Sequence, residues 1–211
     1  MITTDQFFSQ PLPEIAFIGK TRAGKDLAFK ILCEMGFDVK RIAFGDVMKE
    51  KFFELFPHIP LEPKPTQELI HFGQSMRVID PEIWVRLTLG RLTFGGRVAG
   101  LYDFKPETAI FTDVRQQNEY DSVKARGALL VRLHAPEDLR VQRMLELGET
   151  VSKEVLEAPT EKTLEGFECD YNIYNHGDIG EFYRDLVELI YQIQSGGIAS
   201  WQERKRELLE K

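Results

Sequence analysis

Two glycines five residues apart, Gly19 and Gly24, are followed at once by Lys25 and Asp26, and the apolar run Ile15-Ala16-Phe17-Ile18 leads straight into them. Backbone N–H groups between glycines so placed can curl around phosphate oxygens, and a lysine directly after the second glycine reaches β- and γ-phosphates. Gly19-Lys20-Thr21-Arg22-Ala23-Gly24-Lys25-Asp26 therefore reads as a phosphate-binding loop. Its last residue departs from the usual pattern, in which a Ser or Thr hydroxyl meets Mg²⁺. A carboxylate there can hold Mg²⁺ directly or through one of its waters. It also adds negative charge beside the phosphates, which Lys20 and Arg22 are placed to offset. The plainer role for Asp26 is that of a first-turn acid, favoured by the helix dipole by ~0.3–1 kcal/mol.

Phosphoryl transfer needs positioning, and cations around the oxygens of the moving group. Beyond Lys25, the candidates are Arg115, Arg140 and Arg143. Asp113-Val114-Arg115-Gln116 closes a predicted strand, and the carboxyl ends of strands are where open α/β sheets hold ligands, so its polar groups are expected to face a cleft. Asp113 is the second metal-binding candidate after Asp26; the competing role is a cap for a helix starting near Arg115. Arg140 and Arg143 share one helix face that could close over the site, although charged helix faces are usually only solvated. For Arg143 taken alone the two roles are evenly matched. Gln74, Ser75 and Arg77 are candidates for contacting an acceptor, whereas Phe72 and Trp84 read as core. The four histidines show no spacing that suggests a metal site or a triad.

The elements that must position these groups follow from periodicity. Strands are expected at Ile15–Ile18, Val39–Phe44, Ala109–Thr112, Ala128–Leu133 and Tyr171–Tyr174, each short enough to be buried. Leu27/Ala28, Ile31/Leu32 and Met35 recur at helical spacing after the loop, with Gly36 placed to end the helix. Strand, loop, helix and strand make a βαβ unit with a right-handed crossover and a parallel sheet. Further helices are predicted at Asp46–Phe56, Thr66–Val78, Pro81–Thr93 with Asp80 as N-cap, Pro136–Gly148, Asp178–Ser195 and Ser200–Lys211. Residues 45–95 thus form a helical insertion, Gly95-Gly96 and Gly100 loosen the chain after it, and the Glu- and Thr-rich stretch to about Gly166 is expected to be partly mobile. Asn175-His176-Gly177 is a turn signal.

At 211 residues the chain fits a single domain. A net charge of -7 argues against nucleic acid or an anionic membrane as the main partner and leaves room for a small phosphorylated ligand. Cys33 and Cys169 lie outside any metal-ligand spacing and read as reduced thiols. With no basic segment before an apolar one near Met1, a cytoplasmic protein without a membrane span is expected, as a monomer or homodimer.

These residues resemble the phage-type deoxynucleoside monophosphate kinases among the P-loop kinases, and the loop variant ending in Asp is shared with animal-type phosphomevalonate kinases. The resemblance is carried by Gly19–Asp26, by His71-Phe72-Gly73-Gln74-Ser75-Met76-Arg77 with Trp84-Val85, and by Thr112-Asp113-Val114-Arg115-Gln116-Gln117-Asn118-Glu119 leading to Ala125-Arg126-Gly127-Ala128. Asp170–Gly177 is similar to the late strand and turn that border adenine in many nucleotide kinases. The resemblance implies an α/β P-loop kinase fold: a parallel sheet flanked by helices, an acceptor-binding insertion at 45–95 and a lid at about 136–166. It implies ATP and Mg²⁺ on Gly19–Asp26, with Asn175 and Gly177 near the base. Arg115 would hold the acceptor or transferred phosphate, Gln116 would lie beside the acceptor, and Arg140 and Arg143 would be lid-side residues. The family often has Thr after the loop Asp, where this chain has Leu27. The implied reaction is phosphorylation of a (deoxy)nucleoside monophosphate; the alternatives are a phosphomevalonate- or dephospho-coenzyme A-type acceptor, or a nucleotide-binding module without turnover.

Overall fold

The computed structural model describes residues 11–95, 108–149, 151–152, 156 and 158–210. They divide between two compact units, one within Met1–Arg41 and Glu107–Lys211, the other within Ile42–Pro106. Gly96 and Gly100 lie outside the described residues.

The first unit is organised by a five-stranded sheet in the order β2-β3-β1-β4-β5. Its strands are β1 (Ile15–Ile18), β2 (Val39–Ile42), β3 (Thr108–Phe111), β4 (Leu129–His134) and β5 (Tyr171–Tyr174). β1 lies at the centre, parallel to β3 on one side and β4 on the other, and β4 is parallel to β5. All four residues of β1 are fully buried, as expected of a strand covered on both faces. One face is covered by α1 (Lys25–Glu34) and the C-terminal helices. Ala28, Ile31 and Leu32 of α1 join Ile15 and Phe17 of β1 and Leu129, Val131 and Leu133 of β4 in one core cluster.

Helix α5 (Gln117–Ala125) follows β3, and its Tyr120 ring stacks on Phe167 at 4.3 Å. Helix α6 (Glu137–Glu146) follows β4. Part of the stretch expected to be mobile is regular: α7 (Pro159–Thr163) runs into a 3-10 turn at Leu164–Gly166, with Leu164 buried. Helix α8 (Ile179–Ser195) starts at Asp178, whose side chain accepts from the Glu181 N–H at 2.8 Å, and buries Phe182, Leu186, Leu189 and Ile190 in the core cluster. The last helix, α9 (Ala199–Leu209), buries Trp201.

The second unit contains α2 (Phe44–Leu55), α3 (Thr66–Ile79) and α4 (Ile83–Gly95). Phe52 and Phe72 meet edge to face at 5.5 Å, and the buried Trp84 indole donates to the Gly73 carbonyl at 3.1 Å, so Trp84 is a core residue as its sequence context suggests. Two expectations change. Asp80 ends α3 as its C-cap, and its carboxylate instead accepts from the Glu82 N–H at 3.0 Å, so α4 starts two residues after Pro81. The helix predicted at Asp46–Phe56 runs from Phe44 to Leu55, and Leu55, at its end one turn past Phe52, is 61 % exposed. No helix among the described residues is long and apolar enough to cross a membrane.

The core and cap of α8 differ in what they contribute. Leu189→Ala is expected to cost about 3 kcal/mol through cavity formation, and Asp178→Ala about 1 kcal/mol through the lost cap; urea unfolding of the two variants checks the contrast.

Candidate active site

Gly19–Asp26 makes the turn from β1 into α1. Gly24 takes a left-handed conformation, φ 108°, and a Cβ there would lie 2.5 Å from the Asn175 side-chain nitrogen. At Gly19 a Cβ would lie 2.6 Å from the Leu133 carbonyl oxygen. Both glycines are thus required by close approach. Arg22, also at positive φ (63°), is the one non-glycine in that conformation among the described residues.

Inside the loop the Lys25 ammonium is buried and donates to the carbonyls of Gly19 at 2.6 Å and Lys20 at 2.9 Å. Burial pushes its pKa down from 10.5 to about 7; Arg115 acts in the same direction, while Glu161, Asp26 and Asp113 oppose it. A phosphate placed beside this ammonium would relieve the cost of its burial.

The outer side of the loop is fastened by the groups expected on the lid and after β5. Buried Asn175 donates from Nδ2 to the Ala23 carbonyl at 3.0 Å, and its Oδ1 accepts from Arg143 at 3.0 Å and from the Gly177 N–H at 3.3 Å. Arg143 also donates to the Arg22 carbonyl at 2.9 Å. Arg140 is 2 % exposed and donates to the Thr21 carbonyl at 3.4 Å. Neither arginine is a merely solvated helix charge: α6 turns both against the loop.

At the end of β3, buried Glu119 accepts from the backbone N–H groups of Arg115 at 2.8 Å and Gln116 at 3.0 Å. Gln116 is the N-cap of α5, so capping that helix does not fall to Asp113. The turn delivers Arg115 to the loop, where Nη1 donates to the Thr21 hydroxyl at 3.1 Å.

The charges around Asp26 follow expectation only in part: Asp26 helps hold the Arg22 guanidinium in its charged form, but the hydrogen-bonded partners lie elsewhere. Lys20 pairs with Glu165 at 2.7 Å and Arg22 with Glu149, both carboxylates following α6 in the chain, while Asp26 accepts from Arg41 of the β2 strand at 2.7 Å. The carboxylate stays 61 % exposed. Among the described residues no group of three or more His, Cys, Asp or Glu side chains could hold a metal ion. Mg²⁺ at a nucleotide needs only one or two carboxylates beside phosphate oxygens and water. Asp26 and Asp113 both lie close enough to the Lys25 ammonium to favour its charged form.

One site residue went unnoticed in the sequence. Glu161 of α7, 2 % exposed, accepts from the Thr21 N–H at 3.0 Å and hydroxyl at 2.7 Å and from Arg115 at 3.0 Å. The signal in the sequence is Pro159 at the first position of a helix, a start marker inside the stretch expected to be partly mobile. A cavity of about 580 Å³ opens beside the loop, lined by Gly19, Lys20, Glu137 and Arg140 and by His134 and Tyr174, whose rings stack at 4.6 Å. The remaining predicted residues, Gln74, Ser75 and Arg77, belong to the second unit. There Gln74 and Arg77 line a cavity of about 210 Å³ with Lys49, Lys64, Met48 and Leu69, and Ser75 is exposed.

No protein-family model and no curated protein matches the chain. Solved structures do. Protein TT1252 of Thermus thermophilus is 16 % identical with TM-score 0.54, over 87 % of this chain and 99 % of that one. Shikimate kinase from Acinetobacter baumannii is 16 % identical with TM-score 0.50, over 92 % and 98 %. A sugar kinase from Janibacter is 17 % identical with TM-score 0.51, over 88 % and 95 %. At these identities the likeness shows the fold alone, a parallel α/β sheet flanked by helices that this chain shares with a shikimate kinase and a sugar kinase.

The lowered Lys25 pKa has a definite sign. The unfolded chain binds more protons than the folded one between pH about 7 and 10.5, so stability is expected to rise with pH across that window. Urea midpoints measured over this range should climb in the parent protein and stay flatter in Lys25→Met. Asn175→Ala, which leaves the Ala23 carbonyl without its donor, is expected to destabilise by about 2 kcal/mol in the same assay.

Proposed function

We propose that the chain is a Mg²⁺- and ATP-dependent kinase that phosphorylates a small phosphorylated acceptor, a (deoxy)nucleoside monophosphate, to its diphosphate. The observation that carries this reading is Arg115. Its Nη1 is tied to the donor loop at Thr21, while among the described residues its Nε and Nη2 make no hydrogen bond. That free edge has the geometry for two parallel bonds to phosphate oxygens.

The loop backbone and Lys25 would hold the β- and γ-phosphates, and a cavity of 580 Å³ beside the loop is of a size usual for small-ligand sites. Asp26 and Asp113 would hold Mg²⁺, which when bound neutralises charge on the phosphates. Arg115 binds and orients the phosphoryl group as its bond to the donor loosens. Buried Arg140 and half-buried Arg143 keep the loop in shape and help exclude water, which would otherwise compete as acceptor. In the second unit, Arg77, Lys49 and Lys64 around apolar Met48 and Leu69 suit a ligand with an anionic group on an apolar or aromatic body. The nucleotide acceptor itself rests on the resemblance of His71–Arg77 and Thr112–Glu119 to the phage-type enzymes.

A coupled assay of ADP release with all common dNMPs and NMPs, and with phosphomevalonate, dephospho-coenzyme A and shikimate, tests the reading. Turnover with a nucleoside monophosphate is expected, and Arg115→Ala should lower kcat by on the order of 10³. Turnover with a non-nucleotide acceptor would move the acceptor class, and silence across the panel would sink the kinase reading.

A further inference from the structure

Glu161 is a buried carboxylate joined to the loop across 140 residues of sequence. Its Oε1, the Thr21 hydroxyl and Arg115 Nη1 form a closed triangle. The hydroxyl donates to Glu161 at 2.7 Å, Arg115 donates to the hydroxyl oxygen at 3.1 Å, and Arg115 donates to Glu161 at 3.0 Å. Both Glu161 oxygens also lie within reach of the Thr21 N–H, at 3.2 and 3.0 Å, and Arg140 Nη1 stands 3.8 Å away. A carboxylate at this depth persists only when cations and donors surround it. Here they come from three places: the loop after β1, the end of β3, and α6.

The triangle determines which edge of Arg115 is used. Nη1 is committed to Glu161 and Thr21, which turns the remaining Nε and Nη2 edge away from them, on a side chain still 35 % exposed. Without the carboxylate, Arg115 would share this corner with buried Lys25 and Arg140 and lose the charged acceptor that holds its Nη1.

We propose that Glu161 is a positioning residue for phosphoryl transfer, its carboxylate holding Arg115 against Thr21 so that the opposite guanidinium edge is presented to the phosphoryl group. This rests on the kinase reading above and names how its arginine is held. Glu161 touches neither phosphate nor acceptor; it acts through Arg115.

The test uses the full chain, Mg²⁺-ATP and the acceptor that turns over in the panel above. Glu161→Gln keeps an oxygen for the Thr21 N–H and removes the charge. Its kcat is expected to fall about 100-fold, the scale on which misplacing a catalytic group acts, while the KM for ATP stays within about threefold. In an Arg115→Ala background the same change should cost less than about threefold, and Glu161→Asp, which keeps the charge, should recover about tenfold. An unchanged kcat in Glu161→Gln would overturn the proposal, as would losses that multiply in the double variant. Should Glu161→Gln fail to fold, Glu161→Asp decides: a kcat loss that persists when Arg115 is absent rules the positioning role out. A parent protein silent on every acceptor overturns the kinase reading and this role with it, whereas an active parent with indifferent Glu161 variants overturns this role alone.

Discussion

The site depends on a buried ammonium. Lys25 is pulled inside the turn between β1 and α1 and held by two carbonyls of the same loop, Gly19 and Lys20. This costs desolvation, which is why its pKa falls to about 7. The surrounding arrangement offsets that cost. Asp26, Asp113 and Glu161 lend negative charge from three elements, and Gly19 and Gly24 allow the backbone to pack against Leu133 and Asn175 with no side chain between. A loop so constrained has a fixed shape, in which the Thr21 and Ala23 N–H groups already have partners in Glu161 and the Lys20 carbonyl.

The parallel sheet converts this local constraint into a site. β1 lies between β3 and β4, so the segments leaving those two strands flank the loop at its end: Arg115 and Gln116 after β3, α6 after β4. β5, one strand further on, brings Asn175 and Gly177. Order in the sheet, not closeness in sequence, gathers Thr21, Arg115, Arg140, Arg143, Glu161 and Asn175 around one turn.

That distinction explains what could be read from the sequence. The loop, five strands within two residues of their bounds, Gly36 past the end of α1 and Trp84 in a core all rest on local patterns, and local patterns survive folding here. Partners did not follow in the same way. Lys20 and Arg22 sit in the same loop as Asp26, and Arg22 does feel its charge, yet their ion pairs go to Glu165 and Glu149 while Arg41 takes Asp26. Asp80 has the composition of an N-cap for the next helix but ends the previous one, because Pro81 and Glu82 form a turn before α4 begins. Glu161 was missed for the same reason: a lone acid in a Glu- and Thr-rich stretch has no periodicity to mark it, and its three partners lie far away in the chain.

The central claim is that Gly19–Asp26 receives the phosphates of a Mg²⁺-bound nucleoside triphosphate through Lys25. Isothermal titration with the non-hydrolysable ATP analogue AMP-PNP tests it most directly, with Mg²⁺ and after its removal by EDTA, in the parent protein and in Lys25→Ala. Saturable binding that weakens at least tenfold without Mg²⁺ and is lost in Lys25→Ala is the result expected. Binding that is unchanged in Lys25→Ala, or absent from the parent protein, would contradict it.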